Sequence, residues 1–247
     1  MAAPAVRLEQ ITDSVHFANT DLVNWVLVTD GTGVVLIDAG YPGQRGLVLH
    51  SLRQLGFGPD AVRAILLTHA HIDHLGSAIW FAKTHGTPVF CHADEVGHAK
   101  RAYLEQVSPL DLAGQLWRPR WLTWSLTAVR TGALVREGIP GTRALTEDVA
   151  AQLPGQPVVI PSPGHTAGHC SYLIGEVLVS GDALVTGHPV SPRRGPQLLP
   201  EVFNHDQDSC VRSVAALGLL GAEVLLPGHG PVWRGESSTA ARRATPA

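Results

Sequence analysis

Cysteine is scarce in this sequence: Cys91, Cys170 and Cys210 are the three among 247 residues, odd in number and far apart. That excludes the dense disulfide framework of small secreted domains and fits a reducing compartment. Charge is thin as well, at 16% of residues against 45% apolar. Such a chain can bury a full core and does not belong to the disordered class. The net charge is −3, and Lys and Arg collect on no one segment, so the electrostatic footprint of a nucleic-acid binder is missing. No run approaches the roughly 18 apolar residues of a membrane span. Residues 1–20 hold no apolar stretch behind a basic start, the pattern of a signal peptide. The expectation is a cytoplasmic protein acting on a small molecule, with neither a nucleic-acid nor a membrane partner; the oligomeric state stays open. A Gly-x-Ser-x-Gly elbow and a paired Cys–His nucleophile are also absent, which argues against covalent catalysis.

What is present alternates. "SVHFANT", "LVNWVLVT" and "GVVLIDAG" are β-rich runs broken by Asn, Asp and Gly. "PGQRGLVLHSLRQLGFG" carries apolar residues at helical spacing and ends in Gly. "VRAILLT" predicts a strand, "HLGSAIWFAKTHG" a helix and "TPVFCH" another strand. The pattern resumes with "PVVIPSP", "CSYLIGEVLVSGD" and "AEVLLPGHG", and "DQDSCVRSVAALGLLG" before the last is a helix with an Asp cap. Strand–helix alternation predicts a layered α/β protein. Residues 93–150 differ: they predict a helical insertion holding Trp117, Trp121 and Trp124, which form either its core or a wall over the site. A single unit is expected over 1–233, and residues 234–247, small and polar, are expected to be a frayed tail.

The chemistry concentrates in "LLTHAHIDHLG" (66–76), which packs His69, His71, Asp73 and His74 into six positions. Buried imidazole needs a partner. In an extended segment residues i and i+2 point the same way, so His69 and His71 can reach one ion together. Asp73 and His74 sit where the chain turns into a helix and can face a second ion. Neutral imidazole and carboxylate suit zinc, with iron or manganese as alternatives. His165 in "PSPGHTAGH", His229 in "LLPGHGP" and Asp182 in "VLVSGDALV" lie just past apolar strands, where open α/β folds place ligands. His169 is expected to be structural or to support a ligand, and His188 is a candidate substrate contact.

These segments in order, T-H-A-H-I-D-H (68–74), P-G-H-T-A-G-H (163–169), S-G-D (180–182) and P-G-H-G (227–230), with "LIDAG" (36–40) before them, resemble the metallo-β-lactamase superfamily. The resemblance covers roughly residues 11–233 and implies an αββα four-layer sandwich with two metal ions at one edge. It implies that His69, His71 and His165 hold the first ion, that Asp73, His74 and His229 hold the second, and that Asp182 bridges both. Asp38 would accept from a ligand imidazole and fix its tautomer.

The implied activity is that of a zinc hydrolase in which a hydroxide shared by two cations attacks a small carbonyl ester, thioester or lactone, with Asp73 orienting it and carrying a proton to the leaving group. Asp182 stands where true β-lactamases of the superfamily carry Cys or Ser, so β-lactam hydrolysis is a minor alternative. The Asp73–His74 pair and Asp182 resemble those of glyoxalase II thioesterases and quorum-quenching lactonases, although Val185 replaces the Tyr usual in the latter. A mononuclear iron enzyme oxidising a persulfide, and a binding module without catalysis, are the further alternatives.

Overall fold

The computed structural model describes residues 5–244. Chain order runs β1 (Arg7–Gln10), β2 (Val15–Asn19), β3 (Trp25–Thr29), β4 (Val34–Ile37), α1 (Arg45–Gln54), β5 (Val62–Leu66), α2 (Ile72–His85) and β6 (Val89–Cys91). It continues through α3 (Val96–Ala99), α4 (Pro109–Ala113), α5 (Pro119–Thr131), β7 (Arg143–Ala144) and α6 (Glu147–Ala150). The last third holds β8 (Val158–Pro161), β9 (Cys170–Ile174), β10 (Val177–Gly181), α7 (Gln207–Leu217), β11 (Val224–Pro227), β12 (Trp233–Arg234) and α8 (Ser237–Ala244). β1 to β7 form one sheet in sequence order; β12, β11, β10, β9 and β8 form the second.

Side-chain alternation along the strands builds the layers. In β3, Val26 and Val28 face the second sheet while Trp25 and Leu27 face outward; in β4, Val35 and Ile37 oppose Val34 and Leu36 in the same way. The inward set meets Tyr172, Ile174, Val179 and Leu226 of the other sheet and forms the middle layer, which also takes up Cys170. The outward set of the first sheet is covered by Val48 and Leu52 of α1 and by Leu75, Ala78 and Phe81 of α2. On the far side Leu178 and Leu225 pack under Val214 and Leu217 of α7. Each large side chain so buried contributes roughly 1.5–3 kcal/mol. The result is the αββα sandwich expected from the sequence.

Two segments depart from expectation. Within 93–150 the helical reading holds for α3 to α6, but Arg143 and Ala144 leave the insertion to pair in parallel with Phe90 and Cys91 and extend the first sheet. The tail expected over 234–247 is instead a strand residue at Arg234, then helix α8, whose Ala240, Ala241 and Ala244 are buried against α7. Small residues there read as loop composition, yet Ala is the strongest helix former and its size allows close helix packing. Residues 245–247 of that expected tail lie outside the described residues.

β4 and β5 run parallel, as do β10 and β11, and β8 points the same way as β10 because both are antiparallel to β9. The turns leaving β4, β5, β8, β10 and β11 therefore gather at one edge of the sandwich.

Candidate metal centre

That edge brings all seven expected donors together. His69 and His71 follow β5, His165 follows β8, Asp182 follows β10 and His229 follows β11. Helix α2 begins at Ile72, two residues before the sequence reading, so Asp73 and His74 occupy its first turn, where a carboxylate is favoured by the helix dipole. Three sets of donor atoms lie within 4.8 Å of one another: His69, His71 and His165; His69, His74 and Asp182; Asp73, His74 and His229. Asp182 stands centrally, its carboxylate 3.4 Å from His74 Nε2, 3.4 Å from His165 Nε2 and 3.2 Å from His229 Nε2.

The outer nitrogen of each imidazole is already committed. His71 Nε2–H donates to the Glu105 carbonyl at 2.6 Å, His165 Nδ1–H to Asn204 Oδ1 at 2.9 Å and His229 Nδ1–H to the Leu22 carbonyl at 2.5 Å. His74 Nδ1–H donates to Asp38 Oδ2 at 2.8 Å, and His69 Nδ1–H to Thr68 Oγ1 at 3.0 Å. For His69, His71 and His165, held neutral by burial, the inner nitrogen is then a lone pair aimed at the centre. His71 Nδ1 and His165 Nε2 face each other at 3.0 Å, two acceptors with no proton to share. The inner nitrogens of His69 and His74 and Oδ1 of Asp182 are buried without a hydrogen-bond partner. Buried polar atoms are rarely left so. A metal ion bound among these donors would satisfy them, and an N/O donor set of this kind suits a divalent cation.

Electrostatics agree. Burial, reinforced by neighbouring imidazoles, holds His69 and His71 well below the usual histidine range; burial also lowers His165. All three are neutral and ready to ligate. His74 goes the other way: burial opposes its charge, but Asp182, Asp38 and Asp73 outweigh it and raise it well above the usual range. His229 is raised against burial by Asp182 and Asp73. Asp182 is held well below the carboxylate range, burial being overcome by His229 and His74. Asp182, Asp38 and Asp73 thus concentrate carboxylate charge beside His74 and His229, which a cation could neutralise in place of protons.

The scaffold around the donors is rigid. Asp38 adopts φ 62°, a left-handed conformation that Asp tolerates better than most residues. Its two oxygens accept from Thr68 N–H, Thr68 Oγ1–H and His74 Nδ1–H, all within 2.9 Å. His169 accepts the Asp182 backbone N–H at Nε2 (3.1 Å) and donates from Nδ1 to Ser162 Oγ (2.9 Å), so it fixes the backbone that carries the Asp182 carboxylate. Gly228 is demanded by space: a Cβ there would lie 2.0 Å from Asp182 Oδ1.

Several contributors escaped the sequence reading. Buried Glu95 accepts from Ala70 N–H at 2.7 Å, from Thr166 Oγ1–H at 2.9 Å and from His98 Nδ1–H at 2.7 Å, tying the two loops of the first half together. Asn24 clamps the 227–230 loop through the carbonyls of Pro227 and Gly230. Tyr41, the residue after the "LIDAG" segment, lines the cavity, and burial with Asp73 and Asp182 pushes its phenol well up, so it stays protonated.

Above the centre lies a cavity walled by apolar side chains of the cap, among them Val107, Leu112, Leu116, Val129 and Leu134, together with Leu199. The three tryptophans separate. Trp121 is buried and stacks on Phe203 at 5.3 Å, Trp124 lines the cavity, and Trp117 is exposed under the Arg118 guanidinium. His188, the candidate substrate contact, also lines it, 4.7 Å from the His229 ring and 5.5 Å from Trp124.

Comparison with known proteins gives the same reading. The model of the "Metallo-beta-lactamase superfamily" matches residues 18–229. The chain is 29% identical to "Probable metallo-hydrolase YflN" of Bacillus subtilis (strain 168) over 88% of its own length and 82% of that protein. It is 29% identical to a hydroxyacylglutathione hydrolase of Enterobacter sp. (strain 638), over 66% of this chain and 47% of that one. A metallo-β-lactamase structure from Cronobacter sakazakii superposes with a TM-score of 0.62 at 21% identity, covering 92% of this chain and 79% of that one. With donors, layers and a family match over most of its length, the chain belongs to the metallo-β-lactamase superfamily.

Proposed function

We propose that this chain is a dinuclear zinc hydrolase cleaving a small, largely apolar carbonyl ester, thioester or lactone. His69, His71 and His165 hold one ion, Asp73, His74 and His229 the other, and Asp182 bridges them. The observation that carries the reading is the convergence of imidazole nitrogens on Asp182, those of His71 and His165 facing each other as lone pairs and those of His69 and His74 buried without a hydrogen-bond partner. When bound, such cations supply Lewis acidity, lowering the pKa of water toward neutrality and polarising a carbonyl.

The chain's own groups do the rest. Asp73, at the head of α2 and lining the cavity, takes the proton of the attacking water and delivers it to the leaving atom. Tyr41, which lines the cavity, keeps its proton and is available as a donor to a bound substrate. His188, held well below the histidine range by burial and by His229, is a neutral polar contact at the cavity wall. Trp124 and Phe203 exclude water from the apolar side, which strengthens every charge interaction beneath them.

Zinc-loaded protein assayed against ester, thioester and lactone panels tests the reading. Turnover in at least one class, abolished by Asp73→Asn, is expected. One iron per chain, with His74→Ala and His229→Ala harmless, supports the persulfide-oxidising alternative instead.

A further inference from the structure

The cavity does not end at the donors. His188 belongs to two cavities: it packs against Trp124 and Phe203 in the apolar one, and it also lines a neighbouring cleft bordered by Gly230 and Pro231. That cleft is polar and carries Arg120 from α5 with Arg193 and Arg194 from the loop after β10. The first two are anchored to neutral acceptors, Arg120 to the Ser191 carbonyl at 3.0 Å and Arg193 to the Arg243 carbonyl. Among the described residues none of the three forms an ion pair with a carboxylate, and Asp21 is the one acid that lines the cleft. In a chain of net charge −3, this is a local surplus of cationic donors, one ring contact (His188 to His229) from the proposed reaction centre. Guanidinium groups left with free donors suit phosphate and carboxylate oxygens.

We propose that the substrate has two chemically unlike halves: an apolar acyl group under α5, and a leaving group bearing phosphate or carboxylate anions that lies in the cleft of Arg120, Arg193 and Arg194. The carbonyl to be cleaved sits between them, beside His188. This rests on the hydrolytic reading above and narrows it to acyclic esters and thioesters. Water adds its oxygen to the acyl carbon; the C–S or C–O bond breaks; the acyl group leaves as a carboxylic acid and the carrier takes the proton as a thiol or alcohol.

The experiment compares octanoyl-coenzyme A, octanoyl-glutathione and octanoyl-N-acetylcysteamine, which share a thioester and differ in anionic load: phosphates, carboxylates and none. The charged thioesters are expected to lead in kcat/KM, and whichever leads identifies the anion. In Arg193→Gln/Arg194→Gln the preference for the charged substrate falls about tenfold, mostly through KM, as expected for two partly screened charge contacts. Raising the salt concentration narrows the preference in the same direction. On the apolar side, Ala128→Phe moves the optimum to shorter acyl chains. Calorimetric binding of coenzyme A and of glutathione alone gives a readout free of turnover, and the double variant weakens it. Equal rates on all three thioesters, with a ratio unmoved by the double variant, overturn this inference while the hydrolytic reading stands. Failure to hydrolyse any thioester or ester, while a lactone is turned over, removes this inference alone; failure on all three classes with two ions bound removes both.

Discussion

The floor of the cavity and its cap are fixed to different degrees. On the floor each donor is held from behind: Asp38 grips Thr68 and His74, His169 grips Asp182, and Leu22 and Glu105 receive the outer protons of His229 and His71. In the cap, α5 turns Trp121, Trp124 and Ala128 inward, yet Leu122 and Leu126 on the neighbouring stripe are exposed; Trp117 is 76% and Leu110 85% exposed. A helix normally presents one apolar stripe to one core. The floor is therefore over-determined and the cap is not. Small changes in the floor should alter whether ions bind at all, whereas comparable changes in the cap should alter which substrate fits.

The largest effect is expected where space is tightest. Gly228→Ala drives a Cβ into Asp182 Oδ1 and should lower metal affinity by 100-fold or more, roughly the upper range for disturbing a ligand's support; a chelator competition measures it. Unchanged affinity would show that the floor is not the rigid cage described. Asp38→Asn, which keeps the shape but cannot accept from all three donors as a carboxylate does, should cost about 10–100-fold in the same assay. In the cap, Trp124→Ala should leave both ions bound and reduce kcat/KM for a long acyl chain about tenfold relative to acetyl, the order of one large apolar contact. Leu126→Gln on the outer stripe should change stability by no more than about 0.5 kcal/mol, read by urea unfolding.

Acid supplies a further contrast. Burial lowers His169 to about 3 from its ordinary 6.5. Between those two values the unfolded chain binds a proton that the folded chain refuses, so this residue's contribution to stability falls as pH drops through that window and is constant above it. His169→Asn should flatten the loss of Tm between pH 6.5 and pH 4; an unchanged slope would remove His169 from the account of acid sensitivity.

The floor was legible in the sequence because its donors are chemically rare and closely spaced. His69, His71, Asp73 and His74 lie within six positions, and His165, Asp182 and His229 each follow a short apolar strand. Their outer partners were not legible. The Leu22 and Glu105 acceptors are backbone carbonyls, which any residue supplies. Glu95, Asn24 and Asn204 act across 25 to 206 positions of chain, and nothing local marks them. A layered α/β protein followed from strand–helix alternation, and the αββα arrangement from the resemblance carried by the donor motifs. α8 did not, because three buried alanines carry too little hydrophobic contrast to separate a packed helix from a loose tail.

The most direct test is the number of ions each chain holds at equilibrium, measured by elemental analysis after dialysis against zinc and then against metal-free buffer. Two per chain are expected in the native sequence and one in His229→Ala, whose loss empties only the negatively charged half of the centre. A single ion in the native protein, or a count indifferent to His229, would contradict the dinuclear centre on which the proposed chemistry depends.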